Sequence, residues 1–74
     1  MNNIKAERFV RVAEARTNKA IDMIRLLGNL SNTNVYEYRE EDIEKIFNAI
    51  EEEISSARAR FDASDRAKKR FTLE

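Results

Sequence analysis

The sequence predicts an all-α fold: an antiparallel helical hairpin of two long amphipathic helices that dimerises into a four-helix bundle. Three observations predict it. Proline is absent and glycine occurs once among 74 residues, so almost nothing in the chain breaks a helix. Apolar residues recur in alternating steps of four and three along two long stretches, the signature of helices that pack through a seam. Between the stretches lies a polar interval that holds the one glycine and both tyrosines.

The first helix is expected over about 3–27. Asn2 or Asn3 supplies a side-chain oxygen for a free N–H of the first turn, and Gly28 marks the end. Its seam runs through Ala6, Val10, Ala13, Thr17, Ala20, Ile24 and Leu27. Alanine stands at every seventh position there, which permits close approach of a neighbouring helix. The second helix is expected over about 39–70, with its seam at Ile43, Phe47, Ile50, Ile54, Ala57 and Phe61. These side chains are mostly large, the complement of the alanines. Beyond Phe61 the seam meets Ser64 and Lys68. There the pairs Asp62 with Arg66 and Asp65 with Lys69, spaced i to i+4, support continued helix. Residues 28–38 form the connecting loop, and 1–72 constitute one domain. Leu73 and Glu74 read as a vector-derived tail.

The first helix carries a second stripe, from Lys5 and Arg8 through Val12, Arg16 and Lys19 to Met23, Leu26 and Leu30. It is mainly basic in its first half and apolar in its second. The apolar half adjoins the segment with Val35, Tyr36 and Tyr38. Two readings stand for Met23, Leu26, Leu30, Tyr36 and Tyr38. The loop folds back and the tyrosines cover the patch, or patch and tyrosines form a dimer interface, where tyrosine offers large area at low entropic cost. So short a chain builds only a thin core, which favours assembly with a second copy.

Charge sums to zero but is sorted along the chain. Residues 1–30 hold six bases and three acids, 37–53 eight acids and two bases, and 58–70 six bases and two acids. In a hairpin, Lys5, Arg8 and Arg11 join Arg66, Lys68, Lys69 and Arg70 in a basic pole. Helix dipoles account for acids at the start of the second helix and bases at its end, though not for Lys5 and Arg8. The pole serves dimer pairing, an acidic protein partner or, less favoured, nucleic acid. No aromatic residues are interleaved with the bases, and no helix-turn-helix spacing is evident.

Cysteine and histidine are both absent. Disulfides, thiolate chemistry, Cys/His zinc sites and histidine-based catalysis are thereby excluded. The acidic runs Glu40–Asp42 and Glu51–Glu53 point in diverging directions on a helix, so no metal is expected. "ARTNKA" sets Thr17 between Arg16 and Asn18 in the seam, where threonine commonly bonds back to its own helix. No cofactor and no catalytic residue are expected. No apolar run reaches the length of a membrane span and no signal peptide is visible, so the chain reads as cytoplasmic.

The segments "RVAEARTNKAIDMIRLLGNLSN", "YEY" and "EEDIEKIFNAIEEEI", spanning Arg11 to Ile54, resemble a family of small, functionally uncharacterised helical proteins carried by mobile elements of Gram-positive bacteria. The resemblance implies an accessory or regulatory role on such an element, and no functional residue is carried over from it. The functional expectation is a non-enzymatic protein-interaction or regulatory module acting as a homodimer. The alternative is a nucleic-acid-binding accessory protein that uses the basic pole.

Overall fold

The computed structural model describes residues 3–69, the side chains of 65–69 excepted. Helix α1 spans Ile4–Gly28, a 3₁₀ turn follows at Asn29–Ser31, and helix α2 spans Glu40–Lys69. Among the described residues there is no strand. The all-helical class and the two long helices thus stand as the seam pattern predicts. The chain divides into two units, Met1–Glu37 and Tyr38–Glu74, each described by itself.

In the first unit, Asn3 is the cap that starts α1. Its Oδ1 accepts from the Ala6 N–H at 3.0 Å, and its carbonyl accepts from Glu7 at 3.1 Å. The side chain thereby satisfies one of the donors that a helix N-terminus leaves without partners, and the carbonyl accepts the first i to i−4 bond of the helix. The other candidate cap, Asn2, lies outside the described residues.

The end of α1 departs from expectation. Gly28 is the last residue of the helix rather than the residue beyond it, with φ −61° and ψ −26°. A left-handed glycine is one way to satisfy the final carbonyls. Here the chain tightens into a 3₁₀ turn instead, and the Asn29 N–H is directed at the carbonyls of Arg25, Leu26 and Leu27. The conformational freedom of Gly28 is not used. Nothing lies within 4 Å of where a Cβ would stand.

The polar interval is locally ordered by its asparagines. Asn32 Oδ1 accepts from the Asn34 N–H at 3.0 Å, an Asx turn. The Asn32 carbonyl accepts from Val35 at 3.1 Å and from Tyr36 at 3.0 Å. A short side chain that imitates the backbone turns the chain here without a positive φ at any described residue.

In the second unit, Arg39 precedes α2 and its carbonyl accepts from Asp42 at 3.0 Å and Ile43 at 3.3 Å. Asp42 reaches back to the Arg39 N–H at 3.4 Å through Oδ2, and its Oδ1 lies 3.6 Å from the Arg39 guanidinium. This is the returning half of a capping box, with aspartate in the role glutamate usually takes. Glu40, Glu41 and Asp42 fill the first turn, where the helix dipole favours negative charge. The helix then continues through Ser64 and on to Lys69.

Candidate functional site

No residue among those described is buried, and fourteen large apolar side chains are exposed. Both seams share in this. Val10 and Ile24 on α1 are exposed, as are Phe47, Ile54 and Phe61 on α2, the last two at 51% and 63%. Ala13 and Leu27, with Ile43, Ile50 and Ala57, are partly covered. On each helix, the residues that the four-three spacing assigns to packing are therefore a candidate interaction surface.

The second apolar patch is also open. Met23 is 60% exposed and Leu26 58%, while Leu30 sits at 38% in the 3₁₀ turn. Tyr36, of the first unit, and Tyr38, of the second, are exposed as well. Val35, which the folded-back loop would place against this patch, is 66% exposed. An Asx turn at Asn32 and the 3₁₀ turn use the backbone of 29–36 for local bonds. That fixes the direction of the segment without requiring its side chains to return to α1.

Lys5, Arg8 and Arg11 are exposed on the first turns of α1, spread over about 120° of its circumference. Arg66, Lys68 and Lys69 lie in α2, with side chains outside the described residues. Arg70 lies outside them altogether. The pairs Asp62 with Arg66 and Asp65 with Lys69 likewise rest on side chains that are not described. The Arg39–Asp42 contact is the one ion pair among the described residues. At the acidic end, Glu37, Glu40, Glu41 and Glu44 are exposed.

Among the described residues no three carboxylates gather as a metal site would require. Open depressions on α2 include one lined by Ala57, Arg60, Phe61 and Ser64 and one lined by Asn48, Glu51, Glu52, Ser55 and Ser56. No helix among the described residues is long and apolar enough to cross a membrane. The sequence reading did not anticipate the Asn32 turn or the return of Asp42 to Arg39. Both had a visible signal, asparagine two residues before the donor it accepts from and an acid three residues after the cap.

Comparison with protein families, curated proteins and solved structures finds no match.

Proposed function

We propose that the chain is a non-enzymatic interaction or regulatory module that works as a homodimer, each copy a helical hairpin and the pair a four-helix bundle. One observation carries the reading: two long helices expose apolar seams while no described residue is buried. Apolar surface left in water is a cost that association removes, at roughly 25 cal/mol for each Å² covered. Four helices around one core are the ordinary way to cover two seams per chain. Met23, Leu26, Leu30, Tyr36 and Tyr38 add area beside the seams, with the tyrosine hydroxyls able to remain in water at the rim.

The assembly accounts for a chain without disulfides or a Cys/His metal site to hold so small a fold. It acts in the cytoplasm, as an accessory protein of a mobile element, and meets an acidic protein through the basic pole of Lys5, Arg8, Arg11, Arg66, Lys68, Lys69 and Arg70. Sedimentation at micromolar concentration tests the central claim. A dimer is expected, with a melting temperature that rises with protein concentration as mass action requires. A strictly monomeric species with a concentration-independent melt overturns it.

The exposure of Lys5, Arg8 and Arg11 on the first turns of α1 supports a second reading, binding to a nucleic-acid backbone. That reading requires an affinity for DNA that falls steeply as salt rises.

A further inference from the structure

We infer that the acidic protein proposed above docks as a helix on one row of α1, formed by Lys5, Arg8, Arg16 and Lys19, through carboxylates repeated at the same three- and four-residue spacing. The inference rests on that reading and specifies both the receiving surface and the form of the partner.

Within α1 alone, charge is divided between two faces. Lys5, Arg8, Val12, Arg16 and Lys19 fall within about 80° of the circumference and extend about 21 Å along the axis. All four bases are exposed, and no acid falls in their sector. The face about 120° away carries Glu7, Arg11, Glu14, Asn18, Asp22 and Arg25, where opposite charges follow one another at helical spacing. That face is balanced by its own residues. The row is not. Lys5 with Arg8 and Arg16 with Lys19 are like charges at i to i+3 spacing, which is unfavourable on a helix. Lys5, Arg8 and Arg16 have no acid three or four residues away in either direction, and Lys19 has only Asp22. Lys5 also stands in the first turn of α1, where the helix dipole disfavours a base. An anionic partner along the row relieves each of these repulsions.

The width of the row selects a helix as its occupant. A partner helix meets α1 along one narrow strip, and its own residues at three- and four-residue spacing lie on one face, so carboxylates there follow the bases one by one. A duplex groove holds a helix between two phosphate walls, which would bring the face of Glu7, Glu14 and Asp22 toward phosphate as well. Single strands are held by aromatic side chains set among the bases, and the row contains Val12 instead. The chain's own acids are poorly disposed to serve. In the hairpin that the sequence predicts, the part of the second helix beside Lys5 and Arg8 is the basic segment 58–70 rather than the acidic segment 37–53.

The test uses the full-length protein and a pair of fluorescent, alanine-based helical peptides of identical composition. One carries its glutamates in a single row at three- and four-residue spacing, and the other carries them spread around the helix. Arg8→Gln with Arg16→Gln removes charge from the row, and Arg11→Gln with Arg25→Gln removes as much from the balanced face. Circular dichroism checks that each variant keeps its helices, and the comparison of peptides on the unsubstituted protein decides even where a variant does not. The row peptide is expected to bind several-fold more tightly than the spread peptide, with an affinity that falls as salt rises. Its affinity is expected to drop several-fold in the 8/16 variant and to change little in the 11/25 variant. Equal binding of the two peptides, or equal loss in the two variants, overturns the row while leaving an acidic partner standing. Binding of neither peptide overturns both. Loss of self-association in the 8/16 variant alone assigns the row to a second copy, and duplex DNA that binds more tightly than the row peptide assigns it to nucleic acid; either result overturns the inference.

Discussion

Asn3 and Gly28 mark the ends of α1 by different means, and each permits a direct test. Asn3 places one oxygen on the Ala6 N–H, so Asn3→Ala leaves a helix donor to water and is expected to cost about 0.5–2 kcal/mol, read as a lower melting temperature. Gly28 already has helical dihedral angles and open space at its Cβ position. Gly28→Ala therefore restricts the unfolded chain without straining the folded one, and is expected to add about 0.5–1 kcal/mol. A glycine that terminated the helix through a left-handed conformation would respond with the opposite sign. The asparagine cap was legible in sequence because its neighbours are helix formers. The glycine misled by one residue because its type permits a left-handed conformation without imposing one.

For the helices, the four-three spacing establishes which residues lie on one face, since 3.6 residues complete a turn. It does not establish what lies opposite. Leucine at Ala13 or Ala20 adds volume where close approach of a large residue is proposed, and overpacking of this kind costs about 1–3 kcal/mol. Both Ala13→Leu and Ala20→Leu are expected to lower the melting temperature of the assembled protein. If neither changes it, close packing uses another face of α1. The continuation of α2 through Ser64 has a signal in the sequence, because no helix breaker follows Glu40 and opposite charges recur at helical spacing beyond Phe61.

For the protein as an assembly, the open question is what the sorted charge serves. Exchanging Lys5, Arg8, Lys68 and Lys69 for glutamine removes four positive charges while leaving helix propensity nearly constant. If these bases pair with the acidic start of α2 in another subunit, dimerisation weakens, most clearly at low salt where screening is least. If they bind an acidic protein, the dimer persists and capture of that partner is lost. If they bind DNA, the unsubstituted protein shows a steep salt dependence and the variant a shallower one. Loss of the acidic partner is expected first. Micromolar DNA affinity near physiological salt, abolished by the four changes, reverses that order.

Sequence alone determined the helical class, the two long helices and which of their residues share one face, because a period of 3.6 and the near absence of glycine and proline are local properties that no neighbour has to supply. The basic residues of α1 were equally visible, although the partner they meet was not. Only the tertiary structure decided that α1 passes through Gly28 into a 3₁₀ turn, that Asn32 turns the following segment and that Asp42 returns to Arg39. It also shows Val10, Ile24, Phe47, Ile54 and Phe61 of the seams exposed, with Met23 and Leu26. Those outcomes depend on competition among nearby donors and acceptors and on how much apolar area the chain buries. Residue type bounds that competition without deciding it.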